Sequence, residues 1–246
     1  MIALEDEKVV NLLQKGEITL QGEFMWGSNY TFLAQVALED KAKLAVYKPS
    51  RGERPLWDFP AASLAKREVA AYLVSQALDW RLVPPTVHRI HGPLGPGSLQ
   101  LFIEHDPQYH YFNFSPNDLQ RLRPVVIFDL LINNADRKGS HILCDPQNHL
   151  WLIDHGVCFH VDEKMRTVIW DFVGEPIPEE LCVDLVRFRQ LLTPVDGEIS
   201  PLAEDLLTFI NAKEVKALAR RANALVENPR FPNPDPRRRP FPWPEI

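Results

Sequence analysis

Two aspartates in the second half of the chain stand where a carboxylate can do chemistry. Asp136 follows the apolar run of residues 125–132 and lies in a polar Asn-Asn-Ala-Asp segment. A polar loop at the end of so apolar a segment suggests a site. Asp154 comes eighteen positions later, directly after the apolar residues 150–153 and two before a glycine. An ionised carboxylate in such surroundings is costly to bury unless it meets a cation. We therefore expect a charged ligand or a metal ion at Asp154.

A lysine and a glutamate in the first half form a second candidate pair. Lys48 follows a short apolar strand, and Glu68 is the only carboxylate of the helix that comes next. Glu68 shares a helix face with Leu64 and Tyr72, four positions to either side. A strand lysine paired with a helix glutamate is the arrangement that holds nucleotide phosphates in phosphoryl-transfer enzymes. Most lysines are simply solvated, but the pairing favours a phosphate-binding role for Lys48. The role assigned to Glu68 depends on that of Lys48.

The elements that must position these residues differ between the two halves. In the first half, apolar and polar residues alternate in short runs, and this pattern predicts a small antiparallel sheet. Its strands are residues 17–24, 32–38, 43–47 and 99–104, with a turn over residues 25–31. Asp58 and Pro60 predict the start of a helix that runs to about Leu78.

The second half predicts mainly helices. Helix starts are expected at Ser115, Pro124, Ser200 and Asn211, where capping residues or prolines precede apolar runs. Residues 142–144 and 150–153 flank Asp-Pro-Gln-Asn and predict a hairpin. Residues 228–246 contain seven prolines, too many for a packed element, and should be extended and surface-bound or disordered.

Composition limits the class of protein. The chain has 246 residues, is 45% hydrophobic and carries a net charge of −6, so it can bury a sizeable core and has no global attraction to nucleic acid. Three cysteines without a zinc spacing suggest a reducing compartment. Residues 1–15 lack the apolar run of a secretion signal, and no segment is long enough to span a membrane. A cytoplasmic location is therefore expected.

Five short motifs follow one another along the chain: Val46-Tyr47-Lys48-Pro49, Arg67-Glu68-Val69-Ala70-Ala71-Tyr72-Leu73-Val74, Val83-Pro84-Pro85-Thr86, Asn134-Ala135-Asp136-Arg137 and Ile153-Asp154-His155-Gly156. In this order they resemble the phosphatidylinositol 3-/4-kinase-like catalytic domains, and most closely the type II 4-kinases and compact bacterial relatives. The resemblance covers about residues 16–160. It implies an α+β, two-lobed protein-kinase-like or lipid-kinase-like fold that binds ATP between its lobes. The implied division is an N-lobe at 1–104, a C-lobe at 105–227 and a Pro-rich tail at 228–246.

The resemblance also implies a role for each site residue. Lys48 would contact the α- and β-phosphates with Glu68 as its partner, Asp136 would be the catalytic-loop aspartate, and Asp154 would bind Mg²⁺ or Mn²⁺. The remaining nucleotide-binding candidates are Gly27, Ser28 and Asn29 in the phosphate-covering turn, and Phe102, Ile103, Glu104 and His105 in the adenine-binding connector.

One departure from the family pattern keeps several functions open. His141 stands where kinases carry a metal-binding Asn, and imidazole suits softer ions than Mg²⁺. His141 is thus a candidate second metal ligand that would tolerate Mn²⁺, or the sign of an inactive relative. The expected function is an ATP-dependent phosphotransferase acting on a hydroxyl of a protein, small molecule or lipid headgroup. The alternatives are a nucleotide-binding pseudokinase or scaffold, a nucleotidyl transferase on the same fold, and a His/Asp metal hydrolase.

Overall fold

The first part of the chain forms an antiparallel sheet covered by a helix. The computed structural model describes residues 2–24 (side chains from residue 6), 30–194 and 196–246. The strands are β1 (Glu17–Glu23), β2 (Phe32–Leu38), β3 (Lys41–Pro49), β4 (Thr86–Arg89) and β5 (Gly97–Leu101), in the spatial order β1-β2-β3-β5-β4. Helix α1 (Ile2–Lys15) packs on this sheet through Leu12 and Leu13. The Arg89 guanidinium donates to the carbonyls of Leu13 and Gly16 and so satisfies the end of α1.

Helix α2 (Leu64–Leu78) lies between the sheet and the rest of the molecule. Its apolar residues Ala70, Ala71, Val74 and Leu78 belong to the large hydrophobic cluster of the later helices, while the sheet and α1 form a separate, smaller cluster. The helix that carries Glu68 is therefore anchored mainly in the larger core.

The second part of the chain is mostly helical. Its helices are α3 (Pro116–Gln120), α4 (Arg123–Ile132), α5 (Glu179–Leu192), α6 (Pro201–Leu207) and α7 (Ala212–Glu227), and the hairpin of β6 (Ile142–Cys144) and β7 (Leu150–Leu152) lies between α4 and α5. Helix α4 supplies the most apolar part of the core, because Val125, Ile127, Phe128 and Leu131 are fully buried. None of the helices in the described part of the chain is long and apolar enough to cross a bilayer.

The Pro-rich tail runs in extended form along the surface of the helical part. Phe231 is buried, and its neighbourhood pairs with residues 174–177 through backbone hydrogen bonds. Farther on, the N–H of Thr167 donates to the carbonyl of Pro240 (3.0 Å) and that of Gly139 to the carbonyl of Glu245 (2.8 Å). The tail thus supports the loop that contains Asp136. The lobe and tail boundaries at residues 104 and 227 stay a prediction.

Several local predictions are corrected by the structure. Helix α2 begins at Leu64 rather than near Asp58, because the Glu53 carboxylate accepts the N–H groups of Leu64 and Ala65, whereas Asp58 pairs with Lys164 at 2.8 Å. The strand expected to reach Glu104 ends at Leu101. Three elements, α1, β4 and α5, were not predicted at all, and the turn predicted at residues 25–31 lies largely outside the described residues.

Candidate active site

Lys48 stands at the centre of a charged group between the sheet and α2. Strand β3 carries it, and its Nζ lies 2.5 Å from Glu68 Oε1 and 3.0 Å from Asp154 Oδ1. Burial by itself would lower the pKa of Lys48, but the carboxylates of Asp154 and Glu68 outweigh that effect and raise the pKa above its ordinary value. Lys48 is therefore a permanent cation. We call Lys48, Glu68 and Asp154 the cleft cluster.

Glu68 connects the lysine with the turn that contains Asp154. While Oε1 faces Lys48, Oε2 accepts the backbone N–H of His155 at 2.9 Å. A Cβ at Gly156 would come within 3.3 Å of the Leu64 Cβ, so the absence of a side chain lets this turn lie close against the start of α2. The sequence indicated the Lys48–Glu68 pair, but nothing in it pointed to the second contact.

Asp154 is the most open member of the cleft cluster. Its side chain is 48% exposed and lines a cavity, and its backbone adopts a left-handed conformation at φ 63°. Non-glycine residues are uncommon there, and such positions concentrate at functional sites. The Lys48 ammonium holds the pKa of Asp154 far below its usual range. An ionised carboxylate with free oxygen lone pairs toward a cavity can bind a metal ion.

His141 faces Asp154 but only partly fits the role of a metal ligand. Its Nε2 lies 3.4 Å from Asp154 Oδ2, and burial lowers its pKa to about 4, so the ring is neutral near pH 7, as a metal ligand must be. Its Nδ1, however, is buried without a hydrogen-bond partner. Metal-binding histidines usually donate their other N–H to an acceptor. The Asp154 carboxylate thus fits a divalent ion, whereas His141 fits one only in part.

Arg137 is completely buried and uses all of its N–H donors within the protein. Its Nε and Nη2 donate to both carboxylate oxygens of Asp129 at 2.9 Å, and Nη1 donates to the carbonyls of His141 (3.2 Å) and Ile153 (3.0 Å). The second Nη2 hydrogen meets His155 Nε2 at 2.9 Å. Since a guanidinium can only donate, that nitrogen of His155 accepts. We call Asp129, Arg137 and His155 the buried hub; it ties α4, β7 and the Asp154 turn together.

The Asp136 side chain is 33% exposed, whereas that of its neighbour Arg137 is fully buried in the hub. Its backbone N–H donates to Asn134 Oδ1 at 3.0 Å, and Asn134 in turn donates to Asp129, so the loop is held from α4. Lys138 Nζ lies 3.5 Å from Asp136 Oδ2. Burial raises the pKa of Asp136 to about 6, against the opposing effect of the Lys138 ammonium. A carboxylate with such a pKa can accept a proton near neutral pH.

A cavity of about 300 Å³ adjoins the cleft cluster. Among the predicted site residues, its lining includes Lys48, Glu68, Phe102, Ile103, His105, His141 and Asp154. Glu104 and Asp136 are described but are not part of the lining. Gly27, Ser28 and Asn29 lie outside the described residues.

The structure disfavours a hydrolase built from the histidines near residue 155. His149 contacts the carbonyl of Arg81, His155 belongs to the buried hub, and His160 faces Asp162. Across residues 2–24, 30–194 and 196–246, no group of three or more His, Cys, Asp or Glu side chains could hold a metal ion. A metal bound at Asp154 would therefore need further oxygen ligands, such as those of phosphates and water.

Comparison with known proteins identifies the sequence relatives. The family model of phosphatidylinositol 3- and 4-kinases matches residues 24–201. Protein Rv2133c of Mycobacterium tuberculosis strain H37Rv is 39% identical, over 99% of this chain and 97% of its own length. Phosphatidylinositol 4-kinase gamma 4 of Oryza sativa subsp. japonica is 30% identical, over 47% of this chain and 23% of its own length.

Solved kinase structures share the fold at low sequence identity. Hydra Fam20 with sugar has a TM-score of 0.58 at 16% identity and covers 91% of this chain and 88% of that one. The Golgi casein kinase with Mn/ADP bound also has a TM-score of 0.58, at 15% identity, and covers 95% and 81%. The two-lobed kinase-like α+β fold expected from the motifs is confirmed.

Proposed function

Since the chain belongs to the phosphatidylinositol 3- and 4-kinase family, we propose that it is an ATP-dependent phosphotransferase that acts on a hydroxyl acceptor. The observation that carries the proposal is the cleft cluster. One permanent cation, Lys48, contacts two carboxylates, and all three line the same cavity. Lys48 and Asp154 together offer a phosphate-binding charge and a metal-binding charge a few ångströms apart, which is the pairing that phosphoryl transfer requires.

Each residue has a distinct role in this proposal. Lys48 binds the α- and β-phosphates, and Glu68 orients its ammonium. Asp154 would hold the divalent ion, and His141 is the candidate for its second ligand. When bound, that ion supplies charge neutralisation for the phosphates. The exposed oxygens of Asp154 agree with its role, and the Mn/ADP complex of the Golgi casein kinase supports a nucleotide with a divalent ion.

The acceptor side of the proposal depends on Asp136. Its pKa of about 6 leaves it mostly ionised near neutral pH, so it can orient the acceptor hydroxyl and accept its proton. Phosphoryl transfer needs little covalent help, because positioning and charge neutralisation carry most of the rate. Residues 27–29 are proposed to cover the phosphates and residues 102–105 to bind adenine.

The experiment begins with binding. Thermal shifts are measured with ATP alone and with ATP plus Mg²⁺ or Mn²⁺, and a metal-dependent rise in Tm is expected. ATP labelled at the γ- or the α-phosphate is then incubated with the protein alone and with vesicles that contain phosphatidylinositol. Asp136→Asn serves as the control, because it should bind ATP normally but transfer the γ-phosphate roughly a hundred to ten thousand times more slowly.

The outcomes separate the candidate functions. Label from the γ-phosphate on an acceptor or on the protein supports the kinase. Label from the α-phosphate points to a nucleotidyl transferase, and binding without any transfer in either ion points to a pseudokinase. If ATP neither binds nor raises the Tm with Mg²⁺ or Mn²⁺, the proposal is wrong.

A further inference from the structure

A second ion pair starts from the residue before Glu68 and joins α2 to α7. Arg67 Nη2 lies 2.6 Å from Glu214 Oε1, and the two side chains are 2% and 5% exposed. This contact is thus far more buried than the Lys48–Asp154 pair of the cleft cluster. Buried charges of this kind persist only where their partners are fixed.

Both partners are fixed by further contacts. Arg67 Nη1 donates to the carbonyl of Cys158 at 2.6 Å, and its guanidinium lies over the Phe59 ring at 4.8 Å. The second carboxylate oxygen of Glu214 accepts the N–H of Asn211 at 2.9 Å and closes the capping box of α7. A rotation or slide of α2 would break several of these contacts together.

Successive residues on a helix point about 100° apart, so the direction of Arg67 fixes that of Glu68. With Arg67 held against α7, Glu68 is directed to Lys48 on one side and to the His155 N–H on the other. The apolar residues of α2 also pack in the core of the later helices. We infer that Arg67, held by Glu214, is a positioning residue that keeps α2 in the orientation in which the cleft cluster is assembled.

The consequence for nucleotide binding rests on the proposed function. If α2 is held permanently in this orientation, no swing of the helix has to precede the binding of ATP. Loss of the ion pair would let Glu68 leave Lys48 and the Asp154 turn, so that the phosphate-binding site would be assembled in only a fraction of molecules. The apparent affinity falls by that fraction.

The main test variant replaces both charges, Arg67→Met with Glu214→Leu. Replacing a buried ion pair by apolar residues of similar volume is often neutral for stability, whereas removal of one partner leaves a buried, unpaired charge. Arg67→Lys is the second variant, because it keeps the charge but cannot reach Glu214 and the Cys158 carbonyl together as a forked guanidinium does. Arg221→Met is the matched control, since Arg221 also lies on α7 but contacts the carbonyls of Leu131 and His160 instead of α2.

Two readouts are needed, and one does not involve nucleotide. The first is hydrogen exchange of the His155 amide, which donates a hydrogen bond to Glu68. Exchange should be at least about tenfold faster in the double variant, and the increase should be smaller in Arg67→Lys. The second is the Kd for ATP with Mg²⁺, which should rise on the order of tenfold. Arg221→Met should lower the Tm but change neither readout.

The results distinguish the inference from the function on which it rests. If the double variant or Arg67→Lys folds with unchanged His155 exchange and unchanged Kd, the ion pair is only a packing feature and the inference is wrong. The inference is also wrong if Arg221→Met speeds His155 exchange as much as the double variant does. If the unaltered protein binds no ATP, the proposed function fails, while the exchange data still decide whether Arg67 positions Glu68.

Discussion

The cleft cluster holds one cation between two carboxylates and the buried hub holds one cation on a single carboxylate, yet the two regions use their charges differently. Arg137 is fully enclosed, and each of its donors already has a partner in the protein. Lys48 and Asp154 touch each other, but Asp154 remains half exposed to a cavity. A charged group whose hydrogen bonds are all made within the protein stabilises the fold. A charged group with free oxygen atoms facing a cavity can instead bind a ligand. Asp136 and Arg137, adjacent in the chain, fall on opposite sides of this division.

The largest expected effect comes from breaking the hub. Arg137→Met should lower the free energy of unfolding by about 3–5 kcal/mol, because Asp129 is left as a buried, uncompensated charge. Chemical denaturation measures the change. Arg121→Met is the control: Arg121 is 36% exposed, and without it Asp118 keeps its hydrogen bonds from Tyr109 and Ser115, so the loss should be smaller than in Arg137→Met. Equal losses in the two variants would contradict the structural role of the hub.

The matching change in the cleft cluster should affect binding and not folding. Asp154→Asn removes the proposed charged ligand of a divalent ion, so affinity for ATP with Mg²⁺ should fall about a hundredfold or more. Calorimetry with and without Mg²⁺ measures the change, and circular dichroism checks the fold. Unchanged affinity in a folded variant would show that Asp154 does not bind the metal or the nucleotide. The cleft cluster would then not differ in role from the buried hub.

His141 lies between the two regions and should show a smaller effect. If it is a metal ligand in place of Asn, Mn²⁺ should support binding better than Mg²⁺, and His141→Asn should shift the preference toward Mg²⁺ by roughly tenfold. Titrations with each ion compare the two proteins. An unchanged preference would instead assign His141 to support of the Asp154 carboxylate, which its Nε2 faces at 3.4 Å.

The smallest effect concerns pH. The pKa of Asp136 is raised to about 6, so the ionised form that accepts a proton is present above that pH and is lost as the pH falls through it. The γ-phosphate transfer rate should therefore decline as the pH falls below about 6. Lys138→Met removes a cation that favours the ionised form, and the decline should move to higher pH. Lys41→Met, an exposed lysine at the start of β3, should leave the profile unchanged.

Local patterns predicted the parts of the fold whose sequence carries its own signal. Strand β2 and the first strand of the hairpin have the expected bounds, and the capping residues Ser115, Ser200 and Asn211 start helices as expected. The predicted start of α2 is wrong, because the Glu53 carboxylate that accepts its first N–H groups lies in a loop eleven residues before Leu64. Propensity does not reveal a cap supplied at that distance. The four-residue strand β4 was not predicted, because it is short and directly follows Pro84 and Pro85, which indicated a break in the chain.

The same limit applies to the candidate site. Lys48, Glu68 and Asp154 could be named because each follows or lies within an apolar element with a recognisable motif. Asp129, in contrast, sits inside an apolar helix, and the sequence does not say that it meets Arg137. His155 likewise carries no local signal of its contact with Arg137, which depends on the tertiary packing. These two pairings, unlike that of Lys48 with Glu68, have no local signal in the sequence.

The contact between the tail and the loop that contains Asp136 has a consequence for the order of assembly during synthesis. The N–H groups of Gly139 and Thr167 donate to the carbonyls of Glu245 and Pro240, which are synthesised much later than the loop. The cleft cluster also depends on a late residue, because Arg67 of α2 pairs with Glu214 of α7. The early strands can pair as they emerge, but both sides of the candidate site receive their last supports only when α7 and the Pro-rich tail have been synthesised.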